Sequence, residues 1–162
     1  MEKEIKIGLY QKVLEDLTNA LEGETNFITL MSAINSELKY NFPHFFWVGF
    51  YIVDNGELII GPYQGTFGCI HISFERGICG RAARTQQTQI VGNVHSDPEH
   101  IACDSRSNSE IVVPAFNQGK LIAVLDIDST EFNSFDQTDA RYLEIITNRF
   151  FNQREISVGW KW

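Results

Sequence analysis

The chain has 162 residues, 43% of them hydrophobic, and a formal net charge of −8 at pH 7. This length allows one domain with a hydrophobic core, which we expect to span residues 1–162. The acidic balance argues against nucleic acid and anionic membranes as partners, because both recruit Lys and Arg.

The sequence also bears on where the protein works. Its apolar runs are all shorter than the ~20 residues of a membrane-spanning helix. Residues 1–6 are mostly charged and do not form an apolar signal segment. We therefore expect a cytoplasmic protein.

The first part of the chain predicts two helices. Residues 4–21 carry an apolar side chain at every fourth position, which gives one apolar helix face. This face consists of Ile5, Leu9, Val13, Leu17 and Leu21. Thr25 is the predicted N-cap of a second helix, which ends before Pro43. The apolar stripe of that helix is Phe27, Leu30, Met31, Ile34 and Leu38.

The middle of the chain predicts hairpins. Residues 45–53 are aromatic and β-branched and form a strand, and the turn at residues 54–56 leads into a second strand at 57–60. Further short elements follow in order: a glycine-rich loop at 61–68, a strand at 69–74, a helix at 78–84 and a strand at 89–91.

The last part of the chain begins with a long polar loop at residues 92–110, and loops of this length are usually functional or disordered. The elements after it are a strand at 111–115, a turn at 117–120, a strand at 121–128, a helix capped by residues 134–136 and a short tail at 157–162. The helix stripe is Ala140, Leu143, Ile146 and Phe150. This order predicts an α+β fold, an antiparallel sheet flanked by helices from the N- and C-terminal ends of the chain.

The polar loop contains a cysteine that differs from the other two. Cys103 lies among polar residues, and the loop that carries it leads directly into a core strand. A polar loop held on a rigid strand is a common place for catalysis. Arg106 follows three residues later, and a nearby guanidinium favours the reactive thiolate form of a cysteine.

The three cysteines, Cys69, Cys79 and Cys103, suggest either redox work or a metal site. An odd number in a reducing compartment argues against a set of structural disulfides. Structural zinc sites usually pair their ligands at short spacing, and here only His100 and Cys103 are so spaced. The spacing therefore predicts no metal site.

Two aspartates lie close together on the strand at 121–128. Alternation places Asp126 and Asp128 on the same face, and Glu110 lies at the start of the neighbouring strand. They are either rim residues where the strand frays or the acidic wall of a pocket. In a pocket, crowded carboxyl groups have raised pKa values and can donate protons near neutral pH.

Alternation divides the aromatic strand at 45–53 into two sets. Phe46, Val48, Phe50 and Ile52 form the set typical of ordinary core. The other set, Phe45, Trp47, Gly49 and Tyr51, has a gap at the glycine and two rings with polar groups, which suits a pocket wall.

Three stretches together resemble a known family. They are G-C-I-H-I-S-F-E-R-G-I-C-G at 68–80, C-D-S-R-S-N-S-E-I-V-V-P at 103–114 and L-D-I-D-S at 125–129. In these stretches the chain is similar to the free methionine-(R)-sulfoxide reductases, which are GAF-domain enzymes. The likeness runs from about Phe45 to Phe135 and fills all three cysteine positions of the family.

The resemblance implies a GAF-like fold and reduction of free L-methionine-(R)-sulfoxide to methionine without a bound cofactor. It implies Cys103 as nucleophile and Cys69 as resolving thiol, and it leaves Cys79 a part in resolution or in substrate handling. It further implies thioredoxin as reductant and a possible homodimer. The substrate-binding residues that it implies are Trp47, Tyr51, Glu110, Asp126 and Asp128.

The residues themselves support this chemistry. A thiolate attacks sulfoxide sulfur, a protonated carboxyl supplies protons to the departing oxygen, and a second thiol converts the resulting sulfenic acid to a disulfide. The alternative is a non-enzymatic GAF-domain sensor that binds a small metabolite in the same pocket. A sensor would not need three thiols, an inward acid pair and an exposed cysteine loop together.

Overall fold

The computed structural model describes residues 1–157 and contains four α-helices and six strands within that range. The helices are α1 (Lys3–Ala20), α2 (Phe27–Asn41), α3 (Gly77–Thr85) and α4 (Gln137–Thr147). The strands are β1 (Trp47–Asp54), β2 (Glu57–Gln64), β3 (His71–Ser73), β4 (Gln89–Val91), β5 (Ser109–Asn117) and β6 (Lys120–Ser129). A 3-10 turn at Val94–Ser96 and a π-helical turn at Asn148–Asn152 complete the elements.

The strands form one sheet in the order β3-β2-β1-β6-β5-β4, and every neighbouring pair is antiparallel. This confirms the predicted α+β architecture. The long strands β1 and β6 lie at the centre, where the sheet is shielded on both sides. None of the helices in residues 1–157 has the length and apolar character needed to cross a membrane.

The two faces of the sheet pack into separate cores. Val48 and Phe50 of β1 point to one side, where α1, α2 and α4 cover the sheet. Trp47 and Tyr51 point to the other side and contact a smaller cluster that includes Ile78 of α3. Helices from both chain ends therefore cover one face, while α3 and the loops cover the face that holds the polar residues of interest.

Helix α1 packs with a register different from the predicted one. Ile5 is 55% exposed, whereas Lys6 and Tyr10 are buried together with the predicted Val13 and Leu17. A strict four-residue step drifts around an α-helix of 3.6 residues per turn, so the buried face moves away from Ile5 along the helix. The apolar face of α1 packs on α2 and α4 within the chain.

The N-cap of α2 is also one residue later than predicted. The side chain of Asn26, not Thr25, accepts hydrogen bonds from the backbone N–H groups of Ile28 and Thr29 at 3.0 and 3.1 Å. Asp136 caps α4, as predicted, in a capping box with Asp139.

Several strand boundaries differ from the predicted ones. β1 begins at Trp47, so alternation does not extend to the two residues before it: Phe45 lies in the helix-covered core and Phe46 packs on the opposite side. The predicted strand at 69–74 is reduced to His71–Ser73. β5 begins at Ser109, within the predicted loop at 92–110. The predicted tail at 157–162 lies, apart from Ser157, outside the described residues.

Candidate active site

A pocket lies between the polar face of the sheet, the first turn of α3 and the loop that carries Cys103. It contains about 530 Å³ of empty space, counted out to its solvent-open mouth. Phe67, 89% exposed, lies at the mouth. The predicted site residues that line the pocket are Trp47, Tyr51, Cys79, Cys103, Glu110, Asp126 and Asp128.

Cys69 and Cys103 form a disulfide at one side of the pocket. Their Cα atoms are 5.3 Å apart, a separation that disulfides ordinarily span. Cys103 is exposed and lines the pocket, whereas Cys69 is half-buried and is not among the lining residues. The two sulfurs are therefore bonded to each other in this arrangement of the loop.

Cys79 is the third cysteine, and it is a free thiol inside the pocket. It belongs to the first turn of α3 and is only 4% exposed. Burial raises the pKa of this thiol well above its ordinary value, and the nearby Asp126 and Glu110 raise it further. Its sulfur lies 4.0 Å from Glu110 Oε1. A thiol in this setting is protonated at neutral pH, which makes it a poor nucleophile.

The acidic residues form one cluster because the strand register aligns them. Glu110 of β5 pairs with Asp128 of β6, which pairs in turn with Trp47 of β1. Asp126 occupies the next row on the same face and pairs with Gly49. The predicted pocket wall, rather than a frayed rim, is what the structure contains: Glu110 and Asp126 are each 6% exposed.

Burial changes the protonation of this cluster. It raises the pKa values of Glu110 and Asp126 well above their ordinary range, and the neighbouring Asp128 carboxylate raises both further. Burial also raises the pKa of Asp128, to about 6, although a hydrogen bond from Ser107 opposes the shift. Near neutral pH the cluster therefore contains protonated carboxyls beside an ionised one.

The aromatic wall is built by stacking. The Trp47 ring stacks on Tyr51 and Tyr63, with ring centroids 5.8 and 5.3 Å apart, and its Nε1–H donates to the Thr66 carbonyl at 2.9 Å. Gly49 permits this packing, because a Cβ there would lie 2.4 Å from the Trp47 ring. The predicted gap at Gly49 is thus filled by the tryptophan of the same strand.

The segment that leads to Cys103 is held onto α3 by arginines. Arg81 makes a two-pronged contact with Asp97 at 2.8 and 3.1 Å, and Arg84 donates to Glu99 at 2.5 Å. Arg106, which the sequence suggested as the activator of the Cys103 thiolate, is instead bound to the Asp104 carboxylate at 2.7 Å and lies over the Phe46 ring. Its charge is therefore largely offset by Asp104.

Two features of the pocket were missed from sequence. His100 lines it, and burial lowers the pKa of its imidazole. Its buried Nδ1 has no hydrogen-bond partner among residues 1–157 and lies 3.7 Å from Glu110 Oε2. The first turn of α3 also lines the pocket, and its N-cap residue, Arg76, makes no side-chain capping bond. The only available signal was the glycine at 77, which opens the helix.

Comparison with known proteins gives a consistent result. The family model for the GAF domain matches residues 27–150. The chain is 46% identical over 135 residues to GAF domain-containing protein A of Dictyostelium discoideum. This alignment covers 83% of this chain and 85% of that protein. It is 38% identical over 138 residues to a free methionine-R-sulfoxide reductase of Escherichia coli strain K12, in an alignment that covers 85% of this chain and 84% of that protein.

A similar fold is found in a solved structure. The X-ray structure of a free methionine-R-sulfoxide reductase from Neisseria meningitidis in complex with its substrate superimposes with a TM-score of 0.84 at 42% identity. The match covers 93% of this chain and 92% of that one.

Proposed function

Because this chain belongs to the free methionine-R-sulfoxide reductase family of GAF-domain proteins, we propose that it reduces free methionine-(R)-sulfoxide to methionine in the pocket described above. The observation that carries the proposal is the Cys69–Cys103 disulfide beside a wall of raised-pKa carboxyls and stacked rings. A disulfide in this position is the expected oxidised end state of a thiol-dependent reduction.

The reaction begins at Cys103. Its thiolate attacks the sulfoxide sulfur and forms an S–S bond, while the S–O bond breaks and the oxygen takes up two protons and leaves as water. Water then attacks the Cys103 sulfur and breaks the S–S bond, which releases methionine and one proton and leaves a sulfenic acid on Cys103. The thiol of Cys69 then attacks the sulfenic sulfur and releases water, which forms the disulfide. A thioredoxin-type dithiol returns both cysteines to thiols by exchange and becomes a disulfide itself.

The acidic cluster supplies the proton and binds the amino group. Glu110 and Asp126 are protonated near neutral pH because of their raised pKa values, and they are suited to donate to the departing oxygen. Asp128, with a pKa of about 6, is ionised at neutral pH and is suited to hold the ammonium group of a free amino acid. Methionine within a peptide lacks that group, which gives a physical reason for a preference for the free substrate.

The pocket also has surfaces that match the carboxylate and the methyl end of the substrate. Gly77, Ile78 and Cys79 in the first turn of α3 line the pocket, and the N-terminal end of a helix favours a carboxylate. Trp47 and Tyr51 offer an apolar surface for the methyl end.

Thiol counting tests the proposal. The reduced protein, incubated with free methionine-(R)-sulfoxide, should lose two thiols per chain and release a matching amount of methionine. A chain that binds the sulfoxide without losing thiols would be a sensor, not a reductase. Equal rates on free and peptide-linked sulfoxide would contradict the role given to the ammonium group.

Two variants separate the roles of the cysteines. Cys103→Ser should abolish methionine release, because the nucleophile is gone. Cys69→Ser should still release about one methionine per site and then stall, because its sulfenic acid has lost its resolving partner. Continued rapid turnover of Cys69→Ser with a dithiol protein as the sole reductant would contradict the resolving role.

A further inference from the structure

One cluster in the pocket has the composition of a metal site as well as that of a substrate site. The ligand-capable atoms of Cys79, Glu110 and Asp126 all lie within 4.8 Å of one another. Their residues are 4%, 6% and 6% exposed, so the three donors are buried together. The sequence could not indicate this group, because its members come from α3, β5 and β6, with 31 residues between Cys79 and Glu110 and a further 16 between Glu110 and Asp126.

A second observation points to a ligand at this cluster. Asp126 Oδ1 is buried and has no hydrogen-bond partner within residues 1–157. An unsatisfied buried carboxylate oxygen is costly, and a bound cation removes that cost. Beside the cluster, the buried and equally unpartnered Nδ1 of His100 offers a nitrogen donor 3.7 Å from Glu110 Oε2.

We propose that this cluster binds a zinc-type divalent cation through Cys79, Glu110 and Asp126, with His100 as a neighbouring fourth donor. One thiolate, two carboxylates and an imidazole form a mixed set that suits Zn²⁺ and Cd²⁺. Ca²⁺ takes six to eight oxygen ligands and Mg²⁺ keeps an octahedral water shell, so this small sulfur-containing group disfavours both.

Metal binding at this position excludes the substrate. The cation would occupy Glu110 and Asp126, which the proposed function assigns to proton donation, and it would lie in the same pocket as Asp128, which that function assigns to the amino group. A bound metal should therefore compete with free methionine-(R)-sulfoxide. It also replaces the protons held by Cys79 and the carboxyls, which must leave when the metal binds.

Cd²⁺ titration of the oxidised protein tests the proposal without relying on turnover. The chain has three cysteines, and with Cys69 and Cys103 joined, Cys79 is the one thiol that remains. A cadmium–thiolate charge-transfer band in the ultraviolet must then come from Cys79. We expect the band to appear and saturate, Zn²⁺ to suppress it, and Mg²⁺ to leave it unchanged.

Three variants complete the design. Cys79→Ser should abolish the band while the disulfide stays intact, and intact disulfide and circular dichroism confirm that the variant has folded. Loss of an outer-shell partner weakens metal sites ~10–100-fold, so Asp126→Asn should weaken Cd²⁺ binding at least as much. Asp104→Asn is the matched control, because Asp104 lines the same pocket but is bound to Arg106 and Thr66; its affinity should stay near that of the wild type.

The outcomes are distinct. No saturable band in the wild type, or a band that persists in Cys79→Ser, overturns the metal site. The metal site is also overturned if Asp104→Asn weakens Cd²⁺ binding as much as Asp126→Asn does. The negative charge of the pocket alone would then explain the affinity. Failure of sulfoxide reduction would leave these results unchanged, because no step of the titration involves the substrate.

Discussion

The carboxyl of Asp128 links the pocket to the stability of the fold. Burial raises its pKa to about 6, above the ordinary value of 3.8 that it regains on unfolding. Its contribution to stability is therefore fully present below about pH 3.8 and is lost as the pH rises through about 6. The difference between the folded and unfolded pKa values corresponds to about 3 kcal/mol of unfolding free energy in total.

Asp128→Asn should remove this pH dependence. About 1.4 kcal/mol of the total is lost between about pH 5 and pH 8, so the wild type should lose that much more unfolding free energy over this interval than the variant. Urea denaturation of both proteins at several pH values measures it. Asp54→Asn, at the exposed end of β1, serves as a control and should follow the wild type. Parallel pH curves for Asp128→Asn and the wild type would contradict the assignment.

Individual residues also show what the sequence could predict. Asp126 and Asp128 were predicted on one face, and Trp47 and Tyr51 on one wall, because side chains alternate strictly within a strand. Phe45 was misplaced because alternation holds only inside the strand, which begins two residues later. The role of His100 was missed because the chain gives no local pattern for a histidine that lines a pocket from a loop.

At the scale of elements, α3 and the loop before β5 form one unit. Arg81 contacts Asp97 with both terminal nitrogens and also donates to the Gln89 side chain at 2.9 Å. The segment held in this way carries His100 and Cys103. We therefore expect Arg81 to position Cys103, the cysteine proposed to react, although Arg81 does not line the pocket.

Arg81→Lys should separate positioning from charge. Lysine keeps the positive charge but cannot make the planar two-pronged contact. A misplacement of about 1 Å costs about a hundredfold in rate, so we expect disulfide formation after single-turnover oxidation to slow by about tenfold to a hundredfold. Trapping of the Cys103 sulfenic acid measures this step.

Arg84→Lys is the matched control for this experiment. Arg84 lies on the same helix and binds Glu99 and the Phe74 carbonyl, in a contact that is more exposed to solvent than the one between Arg81 and Asp97. Arg84→Lys should therefore slow disulfide formation less than Arg81→Lys does. Equal effects of the two substitutions would show that general helix stability, not the contact with Asp97, determines the rate.

At the scale of the whole molecule, a buried ionic contact joins helix α1 to the start of helix α4. Lys6 of α1 donates to Asp139 at 2.6 Å and to Asp136 at 2.8 Å, and the Tyr10 hydroxyl donates to Asp139 at 2.8 Å. Asp139 is fully buried and Lys6 is 3% exposed. The sequence showed only a helix with an apolar face, since a buried lysine can be recognised only when its acidic partner, 133 residues away, is known.

Removal of Lys6 should destabilise the whole fold. Lys6→Ala leaves the Asp139 carboxylate buried without its cation, and loss of one partner of a buried pair typically costs about 3–5 kcal/mol. Lys12→Ala is the control, because Lys12 pairs with Asp16 at the surface of the same helix, where solvent screens the contact, and it should change stability far less than Lys6→Ala. Urea denaturation compares the two. A loss of similar size in both variants would rule out the buried pair as the cause.

The disulfide between Cys69 and Cys103 joins two chain positions that are 34 residues apart. Its formation therefore restricts the conformations that are open to the loop between β4 and β5. Backbone amides near residue 103 should accordingly exchange with deuterated solvent more slowly in the oxidised protein than in the reduced one, while amides of the central strands β1 and β6 stay equally protected in both. Under the proposed cycle, this loop would be more mobile in the reduced protein, which binds substrate, and more rigid in the oxidised protein, which requires reduction.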